Sequence, residues 1–157
     1  KNRGGYIMIR KLSKKDISHV SDMIKTYLEI SHEYKEFNEE RLLNTLKLVL
    51  DEPNNLFVIV NDEDAAIGYI NFHILNFPLI SGKELYISEL IVHEGERSKN
   101  LGTKLINFAI DRARELSCER VMLNNSMESI SYKRNFYKNL GFSQRDTMAN
   151  FVLKLTD

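Results

Sequence analysis

The sequence predicts a mixed α/β fold, one twisted sheet with antiparallel and parallel strands and helices on both faces. Three observations carry this expectation. Strand-length apolar runs dominate the first half of the chain, and strands alternate with amphipathic helical segments in the second. No internal repeat and no linker-like stretch interrupts the 157 residues, so residues 1–157 are expected to form one domain.

The elements follow in order. Tyr6 to Leu12 is short and apolar, which predicts a strand. Ser13 followed by Asp16 marks a helix start, because their oxygens can satisfy free backbone amides. Ile17, Val20, Met23, Ile24, Tyr27 and Leu28 then recur at helical spacing to about residue 31. A second helix is expected from Asn38, carrying Leu42, Leu43, Leu46 and Val49 until Pro53 stops it. Leu56–Val60 and Ala65–Leu75 predict a hairpin across the turn at Asn61 to Asp64, and Glu84–Val92 predicts the next strand. Leu105, Ile106, Ala109, Ile110, Ala113 and Leu116 mark the clearest helix, from about Leu101. Arg120–Asn124 is expected as a strand, residues 129–140 as a helix ending at Gly141, and Ala149–Leu155 as a last strand.

Composition excludes several classes. Basic and acidic side chains number 22 each, so no cationic excess calls for nucleic acid. No apolar run reaches the roughly 20 residues of a membrane span, and no secretory signal pattern opens the chain. Cys118 is the only cysteine, which excludes an internal disulfide and fits a reducing, cytoplasmic setting. Met8 is a candidate start, with residues 1–7 then an appended or disordered stretch. His19, His32, His73, His93 and Cys118 lack metal-ligand spacing, so no metal is expected.

One junction stands out chemically. Arg97-Ser98-Lys99-Asn100-Leu101-Gly102-Thr103 lies between the strand ending at Val92 and the strongest helix. A strand-loop-helix junction presents unpaired amides and the positive end of a helix dipole, an anion site by construction. Gly102 permits close backbone approach, Asn100 tolerates a left-handed conformation, and Arg97, Lys99 and Lys104 add charge. A solvated basic turn is the competing reading. Neither a Walker loop nor Gly-x-Gly-x-x-Gly is present, which argues against nucleotide hydrolases and Rossmann dehydrogenases.

Leu90-Ile91-Val92, four further residues, then Arg97-Ser98-Lys99-Asn100-Leu101-Gly102 resembles the central motif of the GNAT N-acetyltransferase superfamily. Asn100 stands where that family usually has its first glycine. Asn135-Phe136-Tyr137-Lys138-Asn139-Leu140-Gly141-Phe142 resembles the family's second motif, although Ile130 and Lys133 replace the polar and small residues usual in the preceding turn. The resemblance spans the whole element order. It implies the GNAT-type acyl-CoA N-acyltransferase fold, with a sheet of about six to seven strands. It also implies acetyl-CoA as cosubstrate, with its pyrophosphate on Arg97, Ser98, Lys99, Asn100, Leu101, Gly102, Thr103 and Lys104. The pantetheine arm would then lie along the backbone of Leu90, Ile91 and Val92.

The implied reaction is direct acetyl transfer to a primary amine of a small molecule or protein. Glu89, three residues before Val92, is implied as the base acting directly or through water; amine orientation and a sheet ion pair are its alternatives. Tyr137 is implied as the acid that protonates the leaving thiolate, with a core aromatic as the alternative. A backbone amide near Leu90 or Ile91 would stabilise the oxyanion. Tyr27, His32, Glu33 and Tyr34, with Glu29 and Glu36 nearby, are the candidate acceptor wall, since carboxylates and aromatics suit a cationic amine. A solvated helix face is the alternative. A non-catalytic acyl-CoA-binding module is the rival function, kept open by Asn100, Ile130 and Lys133, and an O-acetyltransferase is a third. Exposed sheet edges would suit a homodimer.

Overall fold

The computed structural model describes residues 6–31, 37–53, 55–97 and 99–155. Two compact units emerge, Lys1–Asn124 and Asn125–Asp157. The first holds β1 (Met8–Lys11), α1 (Ile17–Ser31), α2 (Glu39–Asp51), β2 (Leu56–Val60), β3 (Ala66–Phe77), β4 (Gly82–Val92), α3 (Leu101–Glu115) and β5 (Cys118–Leu123). The second holds two helical turns, α4 (Ile130–Lys133) and α5 (Phe136–Asn139).

The five strands form one sheet in the order β1-β2-β3-β4-β5. The first three pairings are antiparallel and β4–β5 is parallel. Helices cover both faces. On one face Val20 and Met23 of α1 and Leu46 of α2 pack with Val58, Val60 and Tyr69, and Ile91 joins them. On the other, Leu105, Ile106 and Ala109 of α3 are fully buried, and Phe108 meets Phe57 and Phe72 at ring separations of 4.8 and 6.5 Å. The mixed α/β expectation therefore holds.

Local chemistry explains the element ends. Asn38 caps α2 by accepting a hydrogen bond from the Arg41 amide at 2.9 Å. Ser13 opens a short 3-10 turn that runs into α1, and Asp16 accepts from both its amide and its hydroxyl. Arg10 of β1 grips the same buried carboxylate with two guanidinium nitrogens, at 2.7 and 2.9 Å. Burial pushes the Asp16 pKa up, but the bonds from Arg10 and Ser13 outweigh it and the net shift is downward. Stability from this carboxylate is present above its unfolded pKa of about 3.9 and is lost as pH falls through the lower folded value. Asp16→Asn is expected to cost about 1–3 kcal/mol at pH 7, because it removes the charged acceptor of two Arg10 hydrogen bonds while Asp64 still pairs with that guanidinium. Thermal melts from pH 7 to 2.5 check this: the variant should lose part of the wild-type's acid sensitivity.

Two expectations need correction. The sheet has five strands among the described residues, not six or seven, because Ala149–Leu155 forms none. That segment alternates as a strand should, but a strand also needs a ladder partner; here Phe151 is 92% exposed and Leu155 89%. The helix expected over 129–140 is two four-residue turns, because Asn135 between them adopts a left-handed conformation (φ 53°).

Candidate active site

The site begins with a strand that outruns its neighbour. β4 pairs with β5 only from Lys83 to Ile87, opposite Cys118 to Leu123. Beyond Ile87 it continues to Val92, paired with β3 alone. Among the described residues no strand covers the other edge of Ser88–Val92. Hydrogen bonding alternates along an antiparallel strand, so direction can be assigned. The His93 amide donates to Ile67 O, while Phe72 N–H turns the opposite way, to Asn55 O. Glu89 and Ile91 therefore direct their main-chain groups at β3, and Leu90 and Val92 direct theirs at the open edge. A donor for an incoming carbonyl is thus a property of Leu90 rather than Ile91. Gly68 keeps this end tight, since a Cβ there would come within 3.1 Å of the Ile91 carbonyl oxygen.

α3 supplies the second component. Asn100, its N-cap, sits in the left-handed region at φ 58°, ψ 21°, and its side chain caps nothing. The conformation that a glycine would provide is therefore retained by asparagine. The first intrahelical bond runs from Lys104 N–H to Asn100 O at 3.0 Å. The amides of Leu101, Gly102 and Thr103 precede it and face the helix approach, while the Lys104 amide is already used. Lys99 Nζ bonds Glu96 at 2.6 Å, and Arg97 lies 3.6 Å from Glu94. With two loop cations already paired, anion affinity here rests chiefly on main-chain donors and the helix dipole. A free strand edge leading toward an uncapped helix start suits an extended amide-bearing chain that ends in a diphosphate. Ser98 lies outside the described residues.

The face of the sheet toward α1 and α2 carries the titratable chemistry. β4 has one extra residue, Ser88, between the pairs Phe72–Ile87 and Asn71–Glu89, a bulge that brings Ser88 and Glu89 together. Glu89 is exposed, and its Oε2 accepts from Asn71 Nδ2 at 3.2 Å. Ser88 Oγ donates to Asn71 O and takes its second bond from His73 Nε2, each at 3.2 Å. Tyr86 Oη accepts from Asn124 Nδ2 at 3.2 Å. The Tyr69 hydroxyl is fully buried with no hydrogen-bond partner. Burial first, then the nearby Glu89 charge and Tyr27, hold its pKa well above the usual phenol value, so it stays a neutral donor.

Between α1 and the end of β4 lies a cleft of about 130 Å³, lined by Met23, Thr26, Tyr27, Ile91, Val92, His93, Glu94 and Arg97. It joins Tyr27, expected on the acceptor wall, to Arg97 of the anion loop. His32, Glu33 and Tyr34 lie outside the described residues. In the second unit Tyr137 stands on α5, edge-on to Phe136 at 4.9 Å and to Phe142 at 5.8 Å. Sequence reasoning missed Asn71, His73 and Ser88. The available signal was Ser88-Glu89, two successive polar residues that break the alternation of an otherwise apolar strand. Among the described residues, no three His, Cys, Asp or Glu side chains gather as a metal site, and no helix is long and apolar enough to cross a membrane.

β4 thus has a free edge and an exposed carboxylate, Glu89, and α3 begins without a side-chain cap. The chain belongs to the Acetyltransferase (GNAT) family, which it matches over residues 20–142. It is 31% identical over 64 residues to glucosamine 6-phosphate N-acetyltransferase from Arabidopsis thaliana, a match spanning 41% of this chain and 40% of that relative. Among solved structures it resembles a transcriptional regulator from Bacillus halodurans C-125 (TM-score 0.80, 21% identity, 96% of this chain and 100% of the other). It also resembles an aminoglycoside N-acetyltransferase in complex with CoA (0.76, 19%, 99% of each chain). The Arabidopsis thaliana glucosamine-6-phosphate enzyme gives 0.73 at 19%, over 95% of this chain and 99% of the other. At such identities the structural likeness speaks to the fold.

Proposed function

We propose that this protein is an acetyl-CoA-dependent N-acetyltransferase that acts on a primary amine in a ternary complex. The observation that carries this reading is the unpaired edge of β4 running toward the uncapped N-terminus of α3, with Glu89 on that same strand. Family membership agrees with it. Bound acetyl-CoA supplies an activated thioester carbonyl.

Each remaining requirement falls to a residue of this chain. An amine with a pKa near ~10.4 is neutral only about once in a few thousand molecules at pH 7, so its proton must be taken. Glu89, exposed and fixed by Asn71, is the proposed acceptor of that proton, directly or through water. The Leu90 N–H, pointed at the open edge, is the proposed donor to the carbonyl oxygen as charge builds there. Leu101, Gly102 and Thr103 would hold the diphosphate through their amides. Tyr137 is proposed to protonate the departing sulfur, a role drawn from the Phe-Tyr-x-x-Leu-Gly-Phe resemblance at Phe136 to Phe142. Tyr27 would form part of the acceptor wall.

The left-handed Asn100 supports the catalytic reading over a non-catalytic module, since the helix start keeps the conformation that glycine would give, while Ile130 and Lys133 are the features that favour the module. The test is release of free CoA thiol from acetyl-CoA with polyamines, aminoglycosides, amino sugars, amino acids and peptides. Turnover with at least one amine is expected, and tight binding without turnover across the panel would favour a sensor. Tyr137→Phe should lower turnover while acetyl-CoA affinity stays within about twofold, the pattern of a group used only in the transition state. Unchanged turnover in that variant removes the acid role.

A further inference from the structure

Asn71 faces Glu89 across the β3–β4 ladder at the bulge, and its carboxamide is used on one side only. Nδ2 donates to Glu89 Oε2 at 3.2 Å, whereas Oδ1 is buried and accepts nothing. Swapping the amide end for end would not help, because an ionised carboxylate only accepts hydrogen bonds and would then meet a second acceptor. The orientation is thus dictated by Glu89. A buried carbonyl oxygen without a donor destabilises a fold, and two residues earlier on the same face the Tyr69 hydroxyl is also buried without a partner. An apolar side chain at position 71 would suit this sheet better. Polar groups kept at a cost to stability mark a site whose demands are not structural.

We propose that Asn71 is a positioning residue: its Nδ2–H pins Glu89 Oε2, which leaves Oε1 as the atom that receives the amine's proton. The proposal rests on Glu89 serving as the base. Ser88 completes the arrangement, since its hydroxyl donates to the Asn71 main-chain oxygen and in turn accepts from His73, fixing the bulge that carries Glu89. Asn71 itself need not touch the acceptor.

The test compares Asn71→Leu and Asn71→Ala, each in the wild-type and the Glu89→Gln backgrounds, with turnover, acceptor KM, acetyl-CoA Kd and Tm measured for all. Both variants lose the donor and add no charge beside Glu89; leucine keeps the bulk and alanine avoids crowding, so one folded variant suffices. A hydrogen bond to a charged group corresponds to about tenfold or more in rate, so kcat should fall by about that factor. Acetyl-CoA Kd should not move, and Tm of Asn71→Leu should hold or rise. In the Glu89→Gln background the same substitutions should change kcat by less than about twofold, because residues acting as a unit are not additive. Wild-type kcat in the folded Asn71 variants would overturn the proposal. So would an equal loss with and without Glu89, which would mean that Asn71 acts elsewhere. If Glu89→Gln alone leaves turnover intact, the base reading fails and takes Asn71's role with it. If only the Asn71 variants are silent, Glu89 stands and this inference alone fails.

Discussion

Glu89→Gln is expected to lower turnover by about 10²–10⁴-fold, the range that general acid-base help contributes. Glutamine keeps the length of the side chain and can still accept from Asn71, so the bulge and its hydrogen bonds should survive. What it lacks is the capacity to take a proton. The deficit should therefore be deepest at low pH, where the acceptor amine is almost wholly protonated, and should shrink as pH rises toward the amine's own pKa. Acetyl-CoA affinity should be unaffected, because the proposed diphosphate donors are main-chain amides at the start of α3. Steady-state kinetics from pH 6 to 9 check both halves. A loss that is uniform across pH would assign Glu89 to orienting the amine, with deprotonation left to solvent.

The second large effect is expected at Gly102. It is the second residue of α3, one of three whose amides precede the first intrahelical bond. Gly102→Glu places an anion where the diphosphate is proposed to sit. Like charges about 5 Å apart, at an effective dielectric near 20, repel by about 3 kcal/mol, which corresponds to about 100-fold in Kd. The same substitution favours the helix, since glutamate outranks glycine in helix propensity and a negative charge complements the N-terminal dipole. Tm should therefore hold or rise while acetyl-CoA binding collapses. Lost binding with lost stability would be uninformative about the anion site, so Tm belongs in the measurement. Unimpaired binding by a folded Gly102→Glu protein contradicts the placement of the diphosphate.

Much of the first unit was legible because each signal was local. Asn38 and Pro53 bracket α2, the apolar spacing of Leu105, Ile106 and Ala109 marks α3, and Leu56–Val60 reads as a buried strand. Asn100 was legible for a similar reason, since its tolerance of positive φ is intrinsic. The features that make the site are not local. The free edge of Leu90–Val92 depends on where β5 stops relative to β4, and the bulge at Ser88 depends on register against β3. Asn71 is an ordinary strand residue until Glu89 is set opposite it from eighteen positions away. The opposite failure occurred at the chain's far end. Ala149–Leu155 has a strand's alternation, yet alternation states only that a strand could be half buried, and no partner is present among the described residues. At Asn135 the helical pattern on either side hid a left-handed break.

The proposed acetyl transfer depends on one physical event, the docking of a pantetheine-diphosphate chain along β4 and onto the first amides of α3. Isothermal titration of the purified protein with acetyl-CoA, and with CoA lacking the acetyl group, tests it most directly. Saturable one-to-one binding of both ligands, weakened about 100-fold by Gly102→Glu and preserved in Glu89→Gln, is the predicted result. No binding heat with either ligand across several temperatures, from a protein that melts cooperatively, would contradict it.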